Sequence, residues 1–460
     1  MSIEASYRPR SFRRNVLSSA GSTTIGSLAQ LVLVMVLSRI LNSDDYAGIL
    51  TAFALVAIGD MASDFGTRIW AMREFALVGE SRDTFFVSLL SKLCYSGIVA
   101  IVILLIGPHA LLISFSDILI CVLIAFTQPA TDPALWYFRG RERLDLEALC
   151  VVIYRVGYAL ALAVLAYWGM PLTLLLLVWL GINLIRIAVE MSIPPLRFIY
   201  TSGVKTFNWY WQQVRRAWPI TFPIGMAFLL VTFYQRLGVL SLNALHDLHQ
   251  VALYGTAFSL VGAAGFIAVS ITNATFPALS RAIEARNLPA AGDLISKKFN
   301  LITVFFVPMA CIGVLLSPLA VAVLYGANYR DAGFVMVLLM PGLYISSVNF
   351  GAKYALNAVK LNWQDVSCTV VSIGIFLGLF SIPLEVQKSE QAAIAWGIGE
   401  CMGLLSRLGF LRWKGGLKIR RFWVYILLFV GLVVLAFLLK DTGISLRDVI
   451  LAKVHLLLHY

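Results

Sequence analysis

Apolar runs long enough to cross a bilayer recur along almost the whole of this chain, separated only by short polar connections. A hydrocarbon core about 30 Å thick takes about 20 apolar residues per helix. On that measure spans are expected near residues 15–41, 46–66, 84–107, 110–130, 146–168 and 171–193. A second set follows near 217–241, 250–276, 299–324, 331–356, 363–384 and 391–411, with a thirteenth near 421–439. At 60% hydrophobic and 13% charged residues, with a mean hydropathy of +0.85, a soluble fold would leave much of this surface without a core to enter. The expected fold class is therefore an all-α polytopic membrane protein. The closing stretch SLRDVILAKVHLLLHY is interrupted by Arg447, Asp448, Lys453 and His455, and reads equally as a span or as an interfacial amphipathic helix.

The formal net charge of +12 does not point to nucleic acid, because the basic residues are dispersed in the connections between spans. One set of alternate connections holds Arg8, Arg10, Arg13 and Arg14, then Arg68, Arg73 and Arg82, then Arg139, Arg141 and Arg143. It continues with Arg197, Lys205, Arg215 and Arg216, with Arg281, Arg286, Lys297 and Lys298, with Lys360, and with the run from Arg412 to Arg421. The opposite set offers Arg330 and Lys388. That asymmetry places the N-terminus in the cytoplasm. The first apolar stretch outruns a signal-peptide core and is followed by SRILNSDDY in place of a small-residue cleavage site, so the first helix is expected to remain. Six cysteines, Cys94, Cys121, Cys150, Cys311, Cys368 and Cys401, lie in or beside apolar segments without C-x-x-C spacing and read as small core residues.

An internal echo suggests two halves. TAFALV at Thr51–Val56, in the second span, returns as TAFSLV at Thr256–Val261, in the eighth. An offset of six helices fits the parallel-repeat plan of many transporters. The expected organisation is a six-helix lobe over residues 1–196, a cytoplasmic linker over 197–218 carrying Trp209, Trp211 and Trp218, a second six-helix lobe over 219–411, and an additional helix with a terminal segment over 412–460.

The stretch LVLVMVLSRILNSDDYAGILTAFALVAIGDMASDFGTRIWAMREFA resembles the first two helices of bacterial polysaccharide-lipid flippases of the Wzx type, within the multidrug/oligosaccharidyl-lipid/polysaccharide exporter superfamily. WYFRGRERLDLEALCVVIYRVG, AWPITFPIGMAFLLVTFYQRLGVLSL with VALYGTAFSLVGAAGFIAVSITNATFPALSRA, and VLYGANYRDAGFVMVLLMPGLYISSVN follow in the family's order, so the resemblance covers about residues 12–410. It implies two six-helix lobes in a V-shaped bundle around a central cationic cavity, with one or two extra helices. It also implies alternating access that carries an undecaprenyl-diphosphate-linked oligosaccharide from the cytoplasmic to the outer leaflet of the bacterial cytoplasmic membrane. The seventh helix of the family often holds an aspartate near the place where this chain reads Tyr234-Gln235-Arg236.

A lipid diphosphate leaving water must have its charge offset, and the planar fork of arginine suits phosphate oxygens. The candidate substrate-binding cations are Arg155, Arg236, Lys353 and Arg39. Arg155 lies at membrane depth in the fifth span and reads as a cavity residue or as the partner of an acid such as Glu400. Arg236, with Gln235 and Tyr234, makes a polar patch toward the outer end of the seventh span. Lys353 is near enough to the cytoplasmic end of its helix for its stem to reach head groups. Arg39 reads as structural, bridging Asp44 or Asp45. For ion coupling or gating the candidates are Glu400, Asp60, Asp64 and Arg68. Asp60 and Asp64 share a helix face, with Arg68 one turn on, either as a gate network or as a helix-end ion pair. Glu400 sits in the glycine-flanked IGECMG and suits proton or sodium linkage, with Arg407 two turns on as a structural alternative. Hinge candidates are Pro219, Pro223, Gly262, Gly265, Pro341 and Gly342, which fit close packing equally well.

No phosphate-binding G-x-x-x-x-G-K-[ST] loop is present, which argues against a nucleotide-driven pump. Outer connections are too short for a polysaccharide polymerase or ligase, and basic candidates within helices outnumber acids, which disfavours an exporter of drugs or organic cations. The expected protein is no enzyme and takes neither cofactor nor metal. Its expected partners are the lipid-linked oligosaccharide, a coupling cation, membrane lipids and polysaccharide polymerase machinery.

Overall fold

The computed structural model describes residues 12–78, 81–141, 143–193, 205–417, 419 and 422–438. The basic residues before Phe12 and at 420–421, the first part of the expected linker and the ambiguous tail from 441 lie outside them. Among the described residues every element but one short 3-10 turn, Ala327–Tyr329, is an α-helix. In chain order the helices are α1 Phe12–Ile40, α2 Ser43–Asp64, α3 Thr67–Val78, α4 Arg82–Ala110, α5 Phe115–Gly140, α6 Leu144–Tyr167 and α7 Leu172–Met191. They continue as α8 Phe207–Ala244, α9 Leu248–Ala264, α10 Phe266–Glu284, α11 Leu288–Tyr325, α12 Ala332–Ala358, α13 Asn362–Ser381, α14 Lys388–Trp413 and α15 Phe422–Leu438. Eleven helices among the described residues are long and apolar enough to cross a bilayer, and the shorter apolar stretches Thr24–Ile40 and Phe422–Leu438 add two candidates. The chain is a multi-pass membrane protein.

Short polar residues between the apolar runs start the helices by accepting a backbone N–H from their first turn. Asn42 accepts from Asp45 at 2.7 Å, Ser81 from Thr84 at 3.1 Å, Ser114 from Asp117 at 3.1 Å and Asn287 from Ala290 at 3.1 Å. Within the spans, hydroxyls donate back to the preceding turn, as Thr51 does to Ala47 (2.9 Å), Ser88 to Thr84 (2.7 Å) and Ser347 to Leu343 (2.8 Å). Such back-bonding lets a polar side chain sit in hydrocarbon without an orphaned proton.

Two compact units divide the chain, Met1–Arg236 and Leu237–Tyr460. The division falls inside α8 rather than at the 218/219 boundary expected from sequence. Residues 207–218, expected as linker, are the first turns of that same helix. In the first unit α5 is central and packs on α2, α3, α4 and α7, and α6 packs on α7. In the second unit α12 is central and packs on α9, α10, α11 and α14, and α13 packs on α14. The same pairings recur in the two units, with α2, which holds TAFALV, corresponding to α9, which holds TAFSLV.

Two expected spans meet breaks in the helix, the second at its end and the eighth inside it. The second ends at Phe65, which is left-handed (φ 34°, ψ 46°), and Gly66 follows at φ +76°, so Thr67–Val78 is a separate helix. The eighth breaks at Gly265. At the first break the α8 backbone crosses so closely that a Cβ on Gly66 would run into the carbonyl oxygen of Thr221, and one on Gly225 into the backbone of Phe65. Only glycine admits both the left-handed turn and the crossing. Helices α8 and α11, at 38 residues each, are about 57 Å long and outrun a bilayer core of about 30 Å. Lys297 and Lys298, expected in a connection, lie within α11, where Lys298 is buried and donates to the Gly351 carbonyl at 3.0 Å.

Candidate functional site

Helix α6 shows lipid one clear stripe: Leu149, Ile153, Leu160 and Val164 are all exposed. Arg155 is exposed as well, but it stands two residues after Ile153, about 200° round the helix. Its charge therefore leaves α6 on the face turned away from the lipid stripe. The side chain crosses Gly26 of α1, where an added Cβ would sit 2.5 Å from the arginine Cδ and 3.1 Å from Nη1. No carboxylate pairs with Arg155 among the described residues. Glu400, the acid weighed as its partner, is bonded instead by Asn349 of its own unit at 2.6 Å. Beside Arg155 lies a locked polar and aromatic wall: Tyr158 stacks on Trp179 at 5.7 Å, Trp179 donates to Tyr154 at 3.1 Å, and Tyr158 donates to Gln30 of α1. Arg186 lies over Tyr154 at 4.4 Å and is paired with Glu190 at 2.8 Å.

Several acids of the first unit are engaged by neighbouring cations or backbone. Lys92 of α4, with a fully buried side chain, is ion-paired with Asp132 of α5, lies 3.9 Å from Asp60 of α2, and stands over the Trp136 ring at 5.0 Å. Asp60 keeps a side chain 42% exposed. Asp64 turns the other way, accepting the Arg68 backbone N–H at 3.0 Å and lying 3.4 Å from its Nε. Because of the break at Phe65 and Gly66, Arg68 belongs to α3 and not to a further turn of α2. Its guanidinium lies 5.7 Å over Phe228 of α8. Asp60, Asp64 and Arg68 thus divide into a member of the Lys92 group and a cap for the following helix. Arg139 grips Glu147 with two hydrogen bonds, one of them 3.0 Å from Nε.

In the second unit a buried cluster ties α12, α13 and α14 together. Arg407 donates to Asp365 (2.7 Å), to Asn349 (2.9 Å) and to Thr369 (2.7 Å), and Asn349 donates onward to Glu400. The paired charges are almost sealed, Arg407 at 3% exposed and Asp365 at 0%. Lys353, buried too, lies within electrostatic reach of Asp365 and Glu400. The head-group position read for Lys353 from its sequence is therefore replaced by an interior one. Arg407, the structural alternative weighed for Glu400, reaches it through Asn349.

Arg39 closes α1 in line with the exposed Ile25, Leu28 and Val32, so it stands at the lipid-facing end of that helix. Of Asp44 and Asp45, the two acids weighed as its partner, Asp45 also accepts a 2.8 Å side-chain hydrogen bond from Asn42. Arg236 is half-buried beside an exposed Gln235, whereas Tyr234 turns inward at 3% exposed, which narrows the expected three-residue patch to two. Sequence reading missed Lys92, Asp132, Arg186, Glu190 and Asp365. The available signal was a lone charge inside an apolar run matched by an opposite one in a neighbouring run.

The family model described as polysaccharide biosynthesis protein matches residues 12–283. No curated protein matches the sequence significantly. Among solved structures, the lipid II flippase MurJ in an inward closed conformation is similar at a TM-score of 0.67 and 13% identity, covering 93% of this chain and 98% of its own. An inward-facing multidrug resistance MATE family transporter of the MOP superfamily is similar at 0.62 and 12%, covering 85% and 96%. A eukaryotic MATE transporter, AtDTX14, follows at 0.58 and 12%, covering 92% and 98%. These likenesses establish a shared fold, and the family match over more than half of the chain places this protein in the polysaccharide biosynthesis protein family.

Proposed function

We propose that the protein is a flippase for an undecaprenyl-diphosphate-linked oligosaccharide in the bacterial cytoplasmic membrane, working by alternating access with its N-terminus in the cytoplasm. It would carry the glycan carrier to the outer leaflet for surface polysaccharide synthesis, such as O-antigen, capsule or exopolysaccharide, and hand it to polymerase machinery. The observation that carries this reading is the exposed Arg155, without a carboxylate and on the face of α6 opposite its lipid stripe. A bare guanidinium at membrane depth is costly unless it meets water or an anion, and a diphosphate is the anion that the family's substrates carry. The acids argue in the same direction. Asp132, Glu147, Glu190 and Asp365 each hold a resident cation, which leaves little negative charge for the organic cation of a drug exporter. Arg236 with Gln235 is the second substrate contact in this reading. Asp60 and Glu400 are the carboxylates through which a proton or sodium ion would couple, and the chain carries out no enzymatic step.

The test uses the lipid-linked glycan that accumulates in cells lacking the protein, reconstituted in vesicles with purified protein. Losing one charge-assisted contact of about 1.5–3 kcal/mol, Arg155→Ala should slow translocation about tenfold or more with normal insertion. Arg155→Lys should retain part of the rate, because a point charge replaces the two-pronged fork. Full activity in Arg155→Ala would remove the basis of the proposal.

A further inference from the structure

The first turns of α8 stand outside its apolar span. The helix begins at Phe207, and its charge-free stretch, residues 217–235, starts directly after Arg215 and Arg216. Tyr210, Val214 and Ala217 are buried, with Tyr210 and Val214 packed on Val87 of α4, and the Tyr210 hydroxyl donates to Asp83 at 3.2 Å. Trp211 packs against the same cluster, and Arg215 and Trp218 stand exposed beside it. Phe207, Trp211, Arg215 and Trp218 follow at intervals of four, four and three residues, so they form one stripe along the helix. Phe207 and Trp211 stack at 6.5 Å, the Arg215 guanidinium lies 5.5 Å over Trp211, and Trp218 stacks on Phe222 at 5.7 Å. Arg215 and the neighbouring Arg216 are exposed, and neither pairs with a carboxylate among the described residues. Lys205, close by, lies 3.9 Å from Asp83.

Depth identifies what this stripe meets. Residues 217–235 carry no charge and are about 28 Å long at 1.5 Å per residue, close to a hydrocarbon core of about 30 Å, so Arg216 and Arg215 stand just beyond its edge and Trp218 just inside it. The head-group layer occupies about 5–8 Å on each side of the hydrocarbon. An indole at the edge of the hydrocarbon with two arginines just outside it has the amphipathic pattern of a membrane-surface anchor. We propose that Trp218, Arg215 and Arg216 form a docking site for anionic phospholipid head groups at the membrane surface where α8 emerges. A guanidinium held over an indole ring still has a planar N–H fork to offer to phosphate oxygens.

The test uses the full-length protein, purified in detergent and stripped of endogenous lipid. It is titrated with dioleoylphosphatidylglycerol or dioleoylphosphatidylcholine, and bound lipid is counted by native mass spectrometry. Wild-type protein should retain the anionic lipid preferentially, and Arg215→Gln with Arg216→Gln should weaken that retention by about fivefold for each arginine lost. Lys205→Gln, whose cation already has a carboxylate, should leave the preference intact, as should Arg155→Ala, which separates this test from that of transport. Equal retention of the two lipids by wild-type protein, or an undiminished preference in the double variant, overturns the proposal. A double variant that loses binding of undecaprenyl diphosphate but keeps phosphatidylglycerol also overturns it, by reassigning the arginines to the transported lipid.

Discussion

Arg155 lies across Gly26, so that a Cβ on the glycine would come within 2.5 Å of the arginine Cδ. The neighbour is a flexible side chain and not backbone, and the arginine can swing away at little cost to packing. Gly26→Val should therefore leave thermal stability nearly unchanged while displacing the guanidinium. Vesicle translocation should fall in Gly26→Val by less than in Arg155→Ala, and the double variant should be no worse than Arg155→Ala alone. Additive losses would show that Gly26 acts independently of the arginine.

Gly66 is the opposite case, because its neighbour is backbone and its φ is +76°. Gly66→Ala must strain a left-handed residue and push on the Thr221 carbonyl of α8, a destabilisation of about 1–3 kcal/mol. Gly97→Ala in α4, where an added Cβ meets nothing within 4 Å, should be neutral or mildly stabilising. Thermal unfolding of the two variants in detergent checks the contrast, and equal midpoints would remove the close crossing as the reason for the glycine.

Much of the plan was readable from sequence because the bilayer imposes one length scale on every element. Thirteen expected spans agree with the eleven long apolar helices and the two shorter apolar stretches. What escaped was the pairing of charges across helices. Lys92 and Asp132 are 40 residues apart and Asp365 and Arg407 are 42 apart, so no local pattern joins them. The break after Asp64 escaped for a different reason. FG alone does not announce a left-handed turn, and the need for one arises from the approach of α8 more than 150 residues later. Arg155 was legible as a deep charge, but which way it faced was not. Only the exposure of its neighbours on α6 fixed that.

Arg407 and Asp365 form a sealed pair at 2.7 Å, with Asn349 and Thr369 completing the guanidinium's contacts. Removing one partner leaves the other charge buried without its counterion, a loss of about 3–5 kcal/mol. Arg407→Met and Asp365→Leu should each lower the unfolding midpoint strongly. The double variant should recover a large part of the loss, since neither charge then remains. Strict additivity of the two losses would mean that the pair does not interact.

Lys92 stands between two carboxylates, and the consequence is an asymmetry between its variants. Lys92→Met leaves Asp132 and Asp60 facing each other without a cation, whereas Asp132→Asn leaves Lys92 with Asp60 at 3.9 Å. The lysine variant should therefore be the less stable of the two, by about 1–3 kcal/mol, the size of one buried charged contact. It should also respond to acid in its own way: protonating either carboxylate relieves the repulsion, so Lys92→Met should regain stability relative to wild type as the pH falls. Unfolding midpoints measured across a pH series in one detergent decide the matter. If Lys92→Met and Asp132→Asn unfold alike at every pH, Asp60 takes no part in holding the lysine, and the carboxylate proposed here for ion coupling loses its link to the charged interior of its unit.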